Sequence, residues 1–268
     1  MVQRLVSGLT GLAIVLPILF YGGIGVSLLV SFVVVVAMDE WASMTTQDLP
    51  AARSRARAVL VPAGLALHLA VAYGPQSAGV AAVAAAVMLG LLAPMFAEAN
   101  VAKAGVEAVR NVTGLVYAPL CLAPLIGLRG REDGIWMLMY LFAATWLGDT
   151  GAYFAGRAFG RTPLFPRVSP KKTVEGAVGG LLLSGVGGFV FAKVGHLPFG
   201  VWECVLLTMV LDVMGVLGDL AESLLKRAWN VKDSGWIMPG HGGILDRVDS
   251  LCFTAPALWL WLAYRGGS

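Results

Sequence analysis

The sequence is short of charged residues. Asp, Glu, Lys and Arg make up only 13% of its 268 residues, whereas a soluble domain carries roughly 25%. Hydrophobic residues make up 58%, and the mean hydropathy is +0.79. This composition excludes an ordinary soluble domain and indicates a polytopic membrane protein. Because the net charge is only +3, the distribution of charge along the chain is more informative than its total.

Cysteine is also scarce. Cys121, Cys204 and Cys252 each lie in an apolar stretch, and they are too few and too scattered for a disulfide framework or a metal cluster. We interpret them as small buried residues. The chain carries no nucleic-acid-binding motif. No small-x-small cleavage site follows the apolar run that ends at Phe20, which favours a retained first helix over a cleaved signal peptide.

Long apolar runs, in contrast, are abundant, and runs of about 17 to 25 residues can cross a bilayer. The sequence predicts an all-α polytopic membrane protein with about nine transmembrane helices and a polar site on its cytoplasmic side. Residues 1–110 are predicted to form an N-terminal scaffold and residues 111–268 a C-terminal catalytic region. Residues 98–110 predict a short amphipathic surface helix. The predicted transmembrane helices are 4–21, 24–44, 58–74, 78–97, 111–128, 134–156, 175–195, 200–225 and 246–264.

Basic residues predict the orientation of these helices. With the N-terminus in the cytoplasm, 15 of the 19 Lys and Arg residues fall on the cytoplasmic side, as the positive-inside rule requires. Loops 157–174 and 226–245 then both face the cytoplasm of a bacterial-type inner (plasma) membrane. The basic run from Arg53 to Arg57 is expected to meet anionic lipid head groups. Asp39 and Glu40 are interpreted as a polar helix end at the interface, with Trp41 as its anchor.

The sixth predicted helix carries an ionisable residue within the membrane. Asp149, Tyr153 and Arg157 lie four residues apart and therefore continue along one side of the helix. An intramembrane carboxylate is a functional candidate; the alternative is a simple ion pair of Asp149 with Arg157 or Lys171. Small residues also recur every fourth position in this helix and the next, which predicts that the two pack closely together. These residues are Ala144, Gly148, Ala152, Gly156 and Gly160, and Gly176, Gly180, Ser184 and Gly188.

A basic loop precedes the seventh predicted helix. Lys171, Lys172 and Thr173 stand just before that helix begins near Glu175, and Ser169 opens the same segment. Helix starts offer free N–H groups to an anion, and lysines act as point charges on phosphate. The pattern favours a phosphate site. The alternative is a positive-inside loop that binds no ligand.

Carboxylates gather in the eighth helix and at the start of the ninth. Asp212, Asp219 and Glu222 share one side of a membrane helix, which is costly unless they line a cavity or hold a cation. We expect Asp219 to face Asp246 from neighbouring helix ends, because two carboxylates together with substrate phosphates commonly hold Mg²⁺. Gly242 and Gly243 are expected to let the backbone approach a phosphate closely.

Residues 218–250 read GDLAESLLKRAWNVKDSGWIMPGHGGILDRVDS. This stretch resembles the C-terminal signature of the phosphatidate cytidylyltransferases, also called CDP-diacylglycerol synthases. Residues 149–176 resemble the same family, and the resemblance covers roughly residues 141–254. The signature positions are Ser223, Lys226, Arg227, Lys232, Asp233, the segment from Pro239 to Gly243, Asp246, Arg247 and Asp249.

The resemblance implies an enzyme that makes CDP-diacylglycerol and pyrophosphate from CTP and phosphatidic acid. It also implies Mg²⁺ dependence, a paired metal site, membrane lipids as surroundings and a homodimer. A second monovalent or divalent cation is left open. The sequence motifs and the resemblance together assign Asp219 and Asp246 to the metal, with Asp249 and Glu222 as auxiliary ligands.

The remaining assignments concern phosphate. Lys226, Lys232 and Arg247 are assigned to charge neutralisation, and His241 either assists the leaving pyrophosphate or makes a loop hydrogen bond. The predicted substrate-binding residues are Asp149, Arg157, Ser169, Lys171, Lys172, Thr173, Ser223, Arg227, Asp233, Gly242 and Gly243.

Three other functions were weighed against this one. An ion-coupled transporter would use intramembrane carboxylates, but no inverted repeat relates the two halves of the chain. A CTP-dependent lipid kinase would need the same chemistry and release CDP rather than pyrophosphate. A non-catalytic membrane scaffold would not require the density of paired charges at 218–250.

Overall fold

The computed structural model describes residues 2–47, 50–237 and 242–266. Its helices coincide with the apolar runs of the sequence. The helices are α1 (Val2–Tyr21), α2 (Ile24–Thr45), α3 (Pro50–Tyr73), α4 (Gln76–Ala97), α5 (Val101–Leu115), α6 (Pro124–Arg129), α7 (Gly134–Phe159), α8 (Val174–Val194), α9 (Val201–Ala228), α10 (Leu245–Val248) and α11 (Leu251–Tyr264). Two short strands, β1 (Pro163–Phe165) and β2 (Ser169–Thr173), lie between α7 and α8.

Six helical segments of the described chain are long and apolar enough to cross a membrane. This finding supports an integral membrane protein, whereas nine crossings stay a prediction. The 26-residue α7 is not among the six, because glycines, threonines and Asp149 lower its hydropathy. The six segments are Ile24–Thr45, Ala51–Tyr73, Gln76–Ala97, Val101–Arg129, Val174–Val194 and Val201–Ala228.

Two predicted helices have a different form in the structure. The amphipathic segment 98–110 is not a separate surface helix, because α5 continues through it to Leu115. A π-helical turn (Val116–Leu120) follows, where Pro119 has no N–H to donate to the helix ladder. The predicted helix 246–264 is broken into α10 and α11, which are separated by a two-residue turn.

The all-α prediction is wrong for the basic loop, which forms a β-hairpin. β1 and β2 pair antiparallel, with Pro163 opposite Thr173. Thr173 then caps α8, because its Oγ1 accepts a hydrogen bond from the Gly176 N–H at 3.1 Å. The Glu175 carboxylate accepts hydrogen bonds from the backbone N–H groups of Arg161 and Thr162. These contacts tie the hairpin to the first turn of α8, which begins where the sequence predicted.

The chain divides into two compact units. Unit 1 comprises Met1–Gly127 and Trp229–Val248, and unit 2 comprises Leu128–Ala228 and Asp249–Ser268. The signature stretch is therefore shared between the units. The functional division at residue 110 stays a prediction.

Unit 1 is built around Trp41, which is fully buried. Its indole N–H donates to the Arg110 carbonyl at 3.0 Å. The ring meets Trp229 edge-on, with centroids 5.4 Å apart. A Cβ at Gly114 would lie 2.5 Å from the indole. Trp41 is therefore a core residue, and its prediction as an interfacial anchor is wrong.

Unit 2 is built on the packing of α7 against α8, as the stripes of small residues predicted. A Cβ at Gly151 would lie 2.5 Å from the Gly179 carbonyl oxygen, and one at Gly179 would lie 2.2 Å from the Ala155 Cβ. The two backbones approach so closely that a methyl group cannot be added without moving a helix.

We expect Gly179→Ala to destabilise the protein by about 1–3 kcal/mol, the usual cost of overpacking. Gly105→Ala in α5 is the matched control, because nothing lies within 4 Å of a Cβ there. Alanine favours an open helical position by up to about 1 kcal/mol. Thermal unfolding in detergent should therefore shift in opposite directions, and equal shifts would contradict the close packing.

Candidate functional site

Unit 2 contains a cavity of ≈ 380 Å³ between α7, the hairpin and the first turn of α8. Its lining combines cationic side chains with one carboxylate and an aromatic ring. Five predicted substrate-binding residues share this cavity: Asp149, Arg157, Lys171, Lys172 and Thr173. Ser169, at the start of β2, is not among the lining residues.

Local structure explains how these side chains meet. The four-residue spacing in α7 brings Asp149, Tyr153 and Arg157 to one side, and Arg157 donates a hydrogen bond to the Tyr153 hydroxyl at 3.1 Å. The hairpin folds back on α7, and a Cβ at Gly156 would lie 3.1 Å from the Thr173 Oγ1. Because residue 156 is glycine, β2 can lie close to α7, and Lys171 and Lys172 of β2 lie near that helix.

Lys172 connects the cavity to α9. Its Nζ lies 2.7 Å from Oδ2 of Asp219, whose Oδ1 accepts a hydrogen bond from the Ser223 hydroxyl at 3.1 Å. Asp212, two turns earlier in α9, interacts electrostatically with Asp149 and with Lys172. Asp212 and Asp219 of α9 therefore both lie close enough to Lys172 to interact with its ammonium group.

The sequence placed Asp212 among the carboxylates of α9 but predicted no specific role for it. It is buried. A Cβ at Gly148 would lie 1.7 Å from its Oδ1, and one at Gly180 would lie 3.5 Å from its Oδ2. The carboxylate thus occupies the space that side chains would take at the crossing of α7 and α8. An Asp within an apolar helix was the signal in the sequence that could have indicated its importance. Its packing partners, Gly148 and Gly180, could not be predicted because they are distant in sequence.

Glu222 and Lys226 form a buried ion pair within α9. The Lys226 Nζ donates to Glu222 Oε2 at 2.6 Å, and the Glu222 side chain is 0% exposed. Neither residue lines the cavity. Lys226 is therefore the cationic partner of Glu222. The assignment of Glu222 as an auxiliary metal ligand stays a prediction.

The described residues of the signature stretch between α9 and α10, 229–237 and 242–244, are called the signature loop. In unit 1, Ser234 and Gly243 of this loop contact the carboxylate of Asp246. Its Oδ2 accepts three hydrogen bonds, from the Ser234 N–H at 2.8 Å, the Ser234 hydroxyl at 2.9 Å and the Gly243 N–H at 2.8 Å. Gly242 has a positive φ of 83°, which favours glycine. The Gly243 N–H is thus directed at Asp246, whereas the sequence predicted that the glycine backbone would approach a phosphate.

A second buried carboxylate, Glu40 of α2, holds the same loop. Its Oε1 accepts from the Ile244 N–H at 2.9 Å, and its Oε2 accepts from the Leu245 N–H at 2.9 Å and the Ser234 hydroxyl at 3.1 Å. Glu40 is only 4% exposed, so its interpretation as an interfacial polar end is wrong. The sequence contains no local signal for this role, because the partners are about 200 positions away.

The predicted metal ligands do not all fall in one unit. Asp246 belongs to unit 1 and Asp219 to unit 2, and their pairing stays a prediction. Asp249 belongs to unit 2, where its Oδ1 accepts from the Ser250 N–H at 2.7 Å. His241 lies outside the described residues. Among the predicted site residues that do not line the cavity, Arg227, Lys232, Asp233 and Arg247 are exposed.

The residues present fit a hard cation in their chemistry, because carboxylate oxygens are the ligands that Mg²⁺ prefers. No group of three His, Cys, Asp or Glu side chains in residues 2–47, 50–237 and 242–266 is arranged to hold a metal. At Asp219 the ammonium of Lys172 takes the place of a cation. A metal bound through that oxygen would have to displace Lys172, which could then turn to a phosphate.

The fold defines a class of protein, an integral membrane protein, in which cationic side chains line a cavity of unit 2. Comparison with known families is more specific. Residues 2–265 match the cytidylyltransferase family, and the chain belongs to that family.

Known relatives agree with this assignment. The chain is 36% identical to the phosphatidate cytidylyltransferase of Staphylococcus haemolyticus over 264 residues, which cover 95% of this chain and 96% of the relative. It is 44% identical to the phosphatidate cytidylyltransferase of Bacillus subtilis over 149 residues, which cover 55% of each chain. The similarity is therefore spread over the whole chain in one relative and concentrated in about half of it in the other.

We expect Glu40→Gln to loosen the signature loop, because an amide has only one oxygen with which to accept the hydrogen bonds of the loop. An unsatisfied buried N–H costs about 1–3 kcal/mol, so trypsin should cut faster at the exposed Lys232. Asp39→Asn is the matched control, since Asp39 lies beside Glu40 and pairs with Arg57 instead. Equal cleavage of both variants and the unmodified protein would contradict the role of Glu40.

Proposed function

We propose that the protein transfers the cytidylyl group of CTP to phosphatidic acid, giving CDP-diacylglycerol and pyrophosphate for phospholipid biosynthesis. The observation that carries this proposal is the cavity of unit 2, where Arg157, Lys171 and Lys172 meet. It occurs in a chain of the cytidylyltransferase family whose relative over 95% of its length is a phosphatidate cytidylyltransferase. CTP and phosphatidic acid are both phosphate-rich anions, which suits this lining.

The reaction needs little covalent chemistry from the protein. A phosphate oxygen of phosphatidic acid attacks the α-phosphorus of CTP, and the bond from that phosphorus to the oxygen of the leaving pyrophosphate breaks. A phosphate monoester is already ionised at neutral pH, so no strong general base is required. Catalysis then comes from positioning and from neutralising charge on the phosphates.

The cavity residues divide this work. Lys171 and Lys172 act as point charges on the phosphates, and Arg157, held by the Tyr153 hydroxyl, can bind two phosphate oxygens at once. Lys172 also connects binding to the carboxylates, because it pairs with Asp219, and a cation held by Asp219 would leave Lys172 available to a phosphate. The exposed side chains of Arg227, Lys232 and Arg247 supply further positive charge, and Asp233 and Ser223 complete the proposed substrate set.

Mg²⁺ is the proposed cofactor, and it would neutralise and bridge phosphate oxygens when bound. Asp219 and Asp246 are its proposed ligands, with Asp249 as an auxiliary one. The position of Asp219, which already pairs with the cationic Lys172, supports a cation there. The buried pairing of Glu222 with Lys226 favours a structural role for both, and a second cation is not required by any of these contacts.

The setting of the enzyme is also part of the proposal. We place the cavity and the signature loop at the cytoplasmic face of a bacterial-type inner membrane, because 15 of the 19 basic residues then lie on that side. We also propose that the chain crosses the membrane nine times, contacts membrane lipids and forms a homodimer. Its partners are CTP and phosphatidic acid, without nucleic acid.

The purified protein in detergent should release pyrophosphate only when CTP, phosphatidic acid and Mg²⁺ are all present. Lys172→Ala should raise KM for a substrate by about tenfold or more, because a hydrogen bond to a charged group contributes roughly 1.5–3 kcal/mol. Lys193→Ala is the matched control, since Lys193 lies at the far end of α8 over the Phe189 ring. Unchanged KM values in Lys172→Ala would remove the cavity from the site, and release of CDP would identify a lipid kinase instead.

A chelator should stop pyrophosphate release, and Mg²⁺ should restore it. In Asp219→Asn the Mg²⁺ concentration for half-maximal rate should rise by more than the roughly tenfold that loss of a supporting residue costs a metal site. Asp133→Asn is the matched control, because Asp133 pairs with Arg131 at the other end of α7. The same Mg²⁺ dependence in both variants would show that Asp219 is not a ligand.

A further inference from the structure

We propose that unit 1 contains a second binding site, a cavity that takes the phosphate of an anionic membrane phospholipid. The cavity has a volume of ≈ 210 Å³ and lies among the ends of α2, α3 and α4 and the middle of α5. None of its lining residues belongs to the proposed substrate or metal set. The inference therefore does not rest on the catalytic proposal.

Two consecutive residues of α5 form the polar end of this cavity. Asn111 is only 6% exposed, and it lines the cavity. The half-buried guanidinium of Arg110 lines the cavity beside it and forms no ion pair within the described chain. A cation and an amide N–H₂ directed into one cavity are suited to a phosphate group.

Arg55 of α3 adds a second guanidinium in a fixed position. Its Nη2 lies 3.1 Å from carboxylate oxygens of both Glu98 and Glu107, while its buried Nε–H finds no acceptor in the described part of the chain. The backbone N–H of Asn100, and after it Arg55, hold the pKa of Glu98 below its usual range. Glu98 therefore stays ionised and keeps Arg55 in place at the cavity.

Apart from Thr45, Thr46 and Glu107, which pairs with Arg55, the rest of the lining is apolar, which distinguishes this cavity from a site for a free anion. Small side chains of α3 and α4 line it and leave room for the glycerol and upper acyl carbons of a lipid. A phosphate next to an apolar body is the chemistry of a phospholipid, and six helical segments of the chain can lie in a bilayer. The apolar lining residues are Ala56, Ala58, Val59, Ala93, Pro94 and Ala97.

The neighbouring arginines are used within the protein. The sequence predicted that the run from Arg53 to Arg57 would meet lipid head groups. In the structure, Arg57 pairs with Asp39 at 2.6 Å and Arg53 donates to the Gln47 carbonyl at 3.1 Å. Arg110, more than 50 positions later, is the cation that the structure leaves available to a lipid phosphate.

The test measures lipid binding by the full-length protein in detergent, using native mass spectrometry and thermal unfolding. Phosphatidylglycerol is the anionic probe, phosphatidylcholine the zwitterionic one, and inorganic phosphate tests for a free-anion site. We expect retained phosphatidylglycerol and a raised Tm, with a weaker effect of phosphatidylcholine. Arg110→Gln should weaken phosphatidylglycerol binding by about tenfold or more, the loss expected for a charged hydrogen bond.

Lys103→Gln is the matched control, because it removes the same charge from an exposed position on the same helix. Asn111→Leu preserves all charges and places an apolar group at the polar end, so it should also weaken binding. Equal weakening by Lys103→Gln would show that surface charge alone binds the lipid. A shift of Tm by inorganic phosphate equal to that by phosphatidylglycerol would overturn the lipid assignment, as would unchanged binding in Asn111→Leu.

Discussion

The signature loop depends on the hydrogen bonds that the buried carboxylate of Glu40 accepts from the backbone. A carboxyl group that is removed from water must be compensated by hydrogen bonds, and Glu40 obtains them from the N–H groups of Ile244 and Leu245. Asp246 is satisfied in the same way by the N–H groups of Ser234 and Gly243. Any movement of Ser234 or of residues 243–245 away from these side chains would therefore leave a buried carboxyl group without donors.

In unit 2, cations and carboxylates lie side by side at the start of a helix. Close packing of α7 on α8 through glycines leaves room for Asp212 at their crossing, and the hairpin brings Lys172 to Asp219. The site is thus preorganised by backbone packing rather than by long flexible side chains. A phosphoryl-type reaction benefits from such an arrangement, because its transition state is stabilised by charges that are already in position.

Patterns along the chain predicted much of this architecture, because helices depend on local periodicity. Apolar runs predicted where helices lie, the four-residue spacing placed Asp149 and Arg157 at one cavity, and small-residue stripes predicted the packing of α7 on α8. The phosphate site predicted from Lys171 to Thr173 falls at the cap of α8. Each of these inferences involves residues a few turns apart, for which the geometry of the helix is sufficient.

By itself the sequence determined the class of protein, the helical segments and the family signature, because composition and short-range spacing carry that information. Only the tertiary structure showed that Glu40 holds the signature loop, that Asp212 fills the crossing of α7 and α8, and that Arg110 lines a cavity. Each depends on partners from other helices or on a cavity between them, and no local pattern reports such neighbours. The hairpin at β1 and β2 was missed for the same reason, since its stability comes from the cap and the hydrogen bonds that Glu175 accepts.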